Sequence, residues 1–195
     1  MPLPLSKLPE LRELASQARI VLLVDHEAHM DALEKEDRVW DIFVKVDVGT
    51  HRAGLPLGSP RLERLISRAA ASKAVSLLGL YTHAGESYGC QTPESARDVL
   101  QREVDSILKT AELLPEDFEF TLSVGSTPAA HVVRAIAELA RRPKLTLEFH
   151  AGKLCCSSTP IYVRYFSQHN CSPARYRKLC RERSDASGNR LHPSR

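Results

Sequence analysis

The chain has 195 residues, 43% of them hydrophobic, and a formal net charge of +3, which is enough apolar content for one compact core of ordinary size. No run approaches the roughly 18 to 20 apolar residues of a membrane helix, and MPLPLSKLPELREL carries charges where a signal peptide is apolar, so a cytoplasmic protein with no membrane partner is expected. The charge is split: residues 1–152 carry 18 Lys/Arg against 22 Asp/Glu, while residues 153–195 carry 9 against 2 and hold four of the five cysteines.

A helix-like segment from Lys7 to Ala18 opens the chain. Five apolar, β-branched runs of strand length then recur: IVLLVD (20–25), IFVKVDVG (42–49), LLGLYTHAG (77–85), FTLSVGS (120–126) and LTLEFHAG (145–152). Between them, Leu62, Leu65, Ile66 and Ala69, and later Val99, Leu100, Val104, Ile107, Leu108 and Ala111, have helical spacing. Thr92-Pro93 and Thr127-Pro128 each offer a capping hydroxyl followed by Pro at the first helical position. Strands alternating with helices predict parallel pairing through crossovers.

Taking every second residue, Lys45 with Asp47, Tyr81 with His83, Ser123 with Gly125, and Glu148 with His150 fall on one strand face. The other face is apolar: Val44, Val46, Val48; Leu78, Leu80; Leu147, Phe149. A barrel needs this arrangement, with apolar residues under helices and polar residues gathered inside at the C-terminal strand ends, where barrel active sites sit. Five strands do not close an eight-stranded barrel, so the fold expected is an incomplete TIM-type (β/α) barrel over residues 1–152. A basic, Cys-containing tail over 153–195 is expected to be disordered. The seam falls between Gly152 and Lys153. Gly-Lys can be encoded by GGTAAG, which contains the consensus start of an intron, so the tail is expected to be translated intron.

Several clusters carry chemistry. Thr50-His51-Arg52-Ala53-Gly54 follows the second strand, and Arg52 there can hold an anionic oxygen through its fork of donors, or be a plain exposed loop residue. Tyr81, His83 and Tyr88 surround the turn of YTHAGESYG and can bind a flat cofactor, or serve as hydrogen-bonded interior residues. In Ser123-Val124-Gly125-Ser126-Thr127-Pro128 a strand ends, Gly125 admits a close approach, and two hydroxyls precede a helix start. That pattern suits a phosphate cradle or simple capping by Ser126 or Thr127. Neither a nucleotide P-loop nor a dinucleotide fingerprint is present. In the tail, Cys155, Cys156, His169, Cys171 and Cys180 lack zinc-finger spacing, and the cluster Arg175, Arg177, Lys178, Arg181 and Arg183 attracts polyanions at most nonspecifically, with no specific nucleic acid expected.

Taken in order, VKVDVGTHRAGL, LYTHAGESYGC, SVGSTPAAHVVR and LEFHAG resemble the barrel domain of the D-serine dehydratase and D-threonine aldolase family, a branch of the alanine-racemase-like pyridoxal-phosphate enzymes. The spacing around Tyr81 and Tyr88 leans toward the dehydratase. The resemblance implies a lyase that converts D-serine to pyruvate and ammonia, with a D-threonine aldolase-like lyase or a noncatalytic module binding pyridoxal phosphate as alternatives. It implies pyridoxal phosphate as cofactor, a small D-amino acid as substrate, and a homodimer in the intact enzyme. Arg52 would lie near the cofactor's phenolic oxygen, and His83 would stack on its ring. Tyr81 and Tyr88 would line the space, Gly125, Ser126 and Thr127 would hold the phosphate, and His150 and Gly152 would close the pocket.

The departures are as informative. The family's Schiff-base lysine sits on a first strand that would precede Met1, so no catalytic residue is assigned, and Lys45, inside a strand, and Lys7, inside a helix, are expected to be structural. The turn after Gly152 lacks the family's aromatic residue, and Glu86 stands where His or Asn is common. The family's zinc belongs to a second domain. His169 and Cys171 copy its spacing too early in the chain, so no metal site is expected here.

Overall fold

The computed structural model describes residues 2–115, 118–132, 144–151 and 161–165. Helix α1 (Leu8–Leu14), entered through a 3-10 turn at Leu5–Lys7, leads to strand β1 (Val21–Val24), helix α2 (Glu27–Leu33) and strand β2 (Trp40–Asp47). The two-residue strand β3 (Leu55–Pro56), helix α3 (Pro60–Ala71) and strand β4 (Val75–Tyr81) follow. Then come helix α4 (Pro93–Ala111) and strands β5 (Phe120–Val124), β6 (Leu145–Ala151) and β7 (Ile161–Tyr165). All five expected strands form. They pair in parallel in the order β1-β2-β4-β5-β6, with β3 alongside the end of β2. This sequential order, with crossover helices α2, α3 and α4 linking β1 through β5, is that of a barrel wall, and among the described residues the wall does not close. The Leu3 N–H donates to the Leu23 carbonyl at 2.8 Å, so the chain's start lies along the free side of β1.

Helices α3 and α4 form where their sequences predict. Thr92 caps α4 in a reciprocal capping box with Ser95, ahead of Pro93, and Ser59 caps α3 ahead of Pro60. Leu62, Leu65, Ile66 and Ala69 of α3 and Leu100, Val104, Ile107, Leu108 and Ala111 of α4 join Val44, Val46, Leu80, Leu147 and Phe149 in one core. Each fully buried Leu or Ile contributes about 1.5 to 3 kcal/mol, so this outer layer holds the helices against the wall and leaves the polar side chains on its inner face. On that inner face Lys45, Asp47, Ser123, Glu148 and His150 are buried polar residues.

Two expectations are corrected. Strict alternation puts Leu78 beside Leu80 on the apolar face. The ladder between β2 and β4 instead shifts between Ile42 and Phe43, pairing Ile42 with Leu77 and Phe43 with Gly79, and the bulge takes Leu77 into the core in place of Leu78. Gly79 makes the bulge possible: at φ +144, a Cβ there would lie 2.0 Å from the Thr121 carbonyl oxygen. Thr127-Pro128 opens only a 3-10 turn, Pro128–His131, within the described residues, and Thr127 is already helical (φ −57, ψ −47), without a side-chain cap. Of residues 153–195, the described part is Ile161–Tyr165. It pairs antiparallel with β6, Ile161 opposite Ala151 through Tyr165 opposite Leu147. Its β-branched and aromatic run has the propensity for a strand that the basic composition around it obscured.

Candidate functional site at the strand ends

The loop after β2 is held by two carboxylates. Asp47, buried at the strand's end, accepts the Gly49 N–H at 3.0 Å and the His51 N–H at 3.1 Å through Oδ1, while its Oδ2 lies 3.2 Å from His51 Nδ1. Asp25, just past the end of β1, accepts the Gly54 N–H at 3.0 Å. Between these anchors Arg52 stands exposed at the loop tip. Its placement is set by backbone donors closing on neighbouring strand ends, the local geometry that short Asp side chains favour.

A column of rings crosses the inner face. Lys45 Nζ lies 4.8 Å from the centre of the Tyr81 ring, a cation over an aromatic face. Tyr81 stacks on His150 at 4.4 Å and 9°, and His150 lies 5.9 Å from His83 at 20°. His83 in turn is 6.1 Å from Tyr88, whose ring is exposed. Strand alternation explains the column, since Lys45, Tyr81 and His150 occupy inward positions of β2, β4 and β6.

Hydrogen bonding fixes the protons on both histidines. His83 Nδ1 is 3.1 Å from the Gly125 carbonyl oxygen; a carbonyl only accepts, so Nδ1 carries the proton and Nε2 the lone pair. Burial, then the Lys45 charge, pushes the His83 pKa down. Ser123 donates its hydroxyl to Glu148 Oε1 at 2.9 Å, so it accepts from His150 Nδ1 at 3.1 Å. His150 Nε2 is then an acceptor, buried and without a hydrogen-bond partner among the described residues. Burial, with the neighbouring His83 and Lys45, pushes His150 down to about 3, so the ring is neutral at physiological pH. Burial also lowers Lys45, against the attraction of Asp25 and Asp47.

The segment read as a phosphate cradle is tied inward. A Cβ on Gly125, at φ +119, would come within 2.9 Å of the His150 carbonyl oxygen, so the close approach this glycine admits is that of β6. The Gly125 N–H donates to Glu103 Oε1 at 3.3 Å. Ser87 donates to the Ala84 carbonyl at 2.7 Å, so in the 2.5 Å contact between Ser87 and Ser126 the Ser126 hydroxyl is the donor. Ser126 Oγ also accepts the Ala129 N–H at 3.4 Å, which leaves its buried hydroxyl committed to joining the two loops and starting the turn. Thr127 is half-buried at that turn.

Arg52, Tyr81, His83 and Tyr88 line one cleft of about 610 Å3, together with Asp25, Lys45, Thr50 and Ala53. That volume is of the size that holds a small ligand. His150 stacks behind Tyr81, and Gly125 is bonded to His83, but Gly125, Ser126 and Thr127 do not line this cleft. Gly152, His169, Cys171 and the other tail cysteines lie outside the described residues, among which no three His, Cys, Asp or Glu side chains converge as a metal site. Asp25 and Glu103 were missed by sequence reasoning, and Lys45, read as structural, is a cleft residue. Asp25 carried a signal as the polar residue ending IVLLVD, at the strand end where barrel chemistry collects.

A family model described as the alanine racemase N-terminal domain matches residues 4–143. D-serine dehydratase of Schizosaccharomyces pombe is 36% identical over 165 residues, 78% of this chain and 40% of that protein. D-serine dehydratase of Saccharomyces cerevisiae is 29% identical over 154 residues, 69% and 36% of the two chains. Among solved structures, D-threo-3-hydroxyaspartate dehydratase from Delftia sp. HT23 superposes with a TM-score of 0.59 at 27% identity, covering 67% of this chain and 36% of that one. D-threonine aldolase from Filomicrobium marinum shares the fold, with a TM-score of 0.57 at 23% identity over 65% of this chain and 36% of that one. The chain spans about two fifths of the length of the curated relatives it matches.

Proposed function

Because the chain belongs to the family of the alanine racemase N-terminal domain, we propose that residues 1–152 supply the cofactor face of a pyridoxal-phosphate lyase of the D-serine dehydratase type. The observation that carries this reading is the convergence of Arg52, Tyr81, His83 and Tyr88, from motifs far apart in sequence, on one cleft at the strand ends. The relatives at 36% and 29% identity are D-serine dehydratases, which supports D-serine as substrate and pyruvate and ammonia as products.

The residues fit a flat anionic cofactor. Two basic side chains, Arg52 and Lys45, share a cleft with three aromatic or imidazole rings. Arg52 would hold an anionic ring oxygen through its planar fork. His83, neutral and unable to rotate while bonded to Gly125, would present its face to the cofactor ring, with Tyr88 closing the solvent side. Thr127, as the half-buried hydroxyl at the start of the turn, is the residue of its loop we assign to the phosphate, with Ser126 and Gly125 bracing it from behind. The bound cofactor supplies an electron sink that eases loss of the substrate's α-proton.

We place the cofactor-bearing lysine and the zinc of the intact enzyme outside this segment, and take the intact enzyme to be a cytoplasmic homodimer, as the resemblance implies. Among the described residues no helix is long and apolar enough to cross a membrane. Equilibrium dialysis of the full chain against pyridoxal phosphate tests the reading. Saturable binding that weakens in both Arg52→Ala and His83→Ala is expected, and binding indifferent to both substitutions would overturn it.

A further inference from the structure

We propose that Glu103 is a positioning residue of the strand-end site: from the buried side of α4 its carboxyl holds the Gly125 N–H, and Gly125 so held fixes the tautomer and orientation of His83. The inference rests on the cofactor-binding reading above for its functional meaning, though its geometry stands apart from that reading.

Glu103 lies on α4 among Leu100, Val104 and Ile107 and is 2% exposed. A carboxyl on an apolar helix face needs partners, because an unpaired buried charge is far costlier than a buried Leu. Its partners lie on the site loops. Oε1 accepts the Gly125 N–H at 3.3 Å, and the Gly125 carbonyl oxygen accepts from His83 Nδ1 at 3.1 Å. The residue between the two side chains is thus gripped at both its donor and its acceptor. Oε2 and the Thr82 hydroxyl oxygen are both buried without a hydrogen-bond partner among the described residues. A cavity of about 20 Å3 borders Glu103, Thr50 and Ala84.

Protonation makes this brace compatible with an anionic ligand. Burial raises the Glu103 pKa to about 8, against the opposing pull of the Gly125 N–H, the nearby Thr82 hydroxyl and the Lys45 charge. At neutral pH the group is therefore mostly an uncharged acid under the loop that carries Thr127, where a carboxylate would repel a phosphate. The other oxygen, which carries the acid proton, also explains why Gln is the faithful replacement: its amide oxygen can accept from Gly125 and its amide hydrogen can take the place of the acid proton.

The test is the tautomer of His83 in the full chain, labelled with 15N-histidine, with no cofactor added, and assigned by comparison with His83→Asn. The wild type is expected to show the Nδ1–H form, and Glu103→Gln to keep it. Glu103→Leu is expected to lower the ratio of Nδ1–H to Nε2–H by about tenfold, the weight of one well-placed buried hydrogen bond. Should Glu103→Leu not fold, Glu103→Asp, which withdraws the oxygens by one methylene, is expected to give the same loss. An unchanged tautomer in a folded Glu103→Leu or Glu103→Asp chain overturns the proposal, as does an equal loss in Glu103→Gln. Because the tautomer is read without cofactor, its failure is distinct from a failure to bind pyridoxal phosphate, which the dialysis measures separately.

Discussion

Replacing Glu103 by Gln removes an ionisable group that the fold buries almost completely, so the substitution isolates the effect of that group on stability. The Glu103 pKa rises to about 8 in the folded chain, from a value near 4.3 in the unfolded one. Between these values the folded state binds more protons than the unfolded state, so stability falls as pH rises. The contribution is fully present below about pH 4.3 and is lost progressively until the folded group ionises near pH 8. At about 1.4 kcal/mol per pH unit, the wild type should give up about 4 kcal/mol by pH 7 relative to acid, an upper figure because buried sites relax. Glu103→Gln has no such loss and keeps the acceptor for Gly125. Urea unfolding of both chains from pH 5 to 9 reads the difference directly, since all other titrations are shared. The difference in favour of the variant should widen with pH up to about 8 and then level. Parallel stability curves would refute a buried Glu103 that holds its proton.

Gly79→Ala places a methyl against the Thr121 carbonyl at a backbone angle L-residues rarely adopt, so a loss of about 3 kcal/mol or more in unfolding free energy is expected from urea denaturation. His150, pushed down to about 3, should show a neutral ring with Nδ1 protonated at pH 5 by 15N shifts. Because its folded pKa lies below the unfolded value near 6.5, its contribution to stability is lost as pH falls below about 6.5, opposite in sense to that of Glu103. Arg52→Ala should weaken pyridoxal phosphate binding about tenfold or more in dialysis, with Arg52→Lys intermediate because it keeps the charge but not the fork.

The strands were legible because each combines a β-branched run with a polar or glycine-bearing end, and the parallel order followed from the helical spacing between them. Helix α2 gave little sign of itself. It has seven residues, and what holds it includes Arg68 of α3, which pairs with Glu27, Asp31 and Glu34 across a gap of more than thirty residues. The bulge in β4 was hidden for a different reason: alternation assumes an unbroken pleat, and only Gly79 marked the break. At the site, the H-R-A-G loop and the Tyr81, His83 and Tyr88 group could be read because they sit at strand ends. Sequence left Ser126 between cradle and cap because a hydroxyl before a helix start looks the same whether it faces a ligand or, as here, the Ser87 hydroxyl and the Ala129 N–H. Glu103 could have been found, since Leu100, Glu103 and Ile107 share a helical face, and a carboxyl on an otherwise apolar face needs a partner.

The central claim is that a flat anionic cofactor binds at the C-terminal strand ends, and its location is best measured by following backbone amide resonances of the full chain as pyridoxal phosphate is added. Shifts gathered at Arg52, His83, Gly85, Tyr88 and Thr127, with the opposite pole around Trp40 unmoved, are the predicted result. Shifts gathered instead at Arg19, Arg38 and Trp40, or along the basic residues after Lys153, would contradict it.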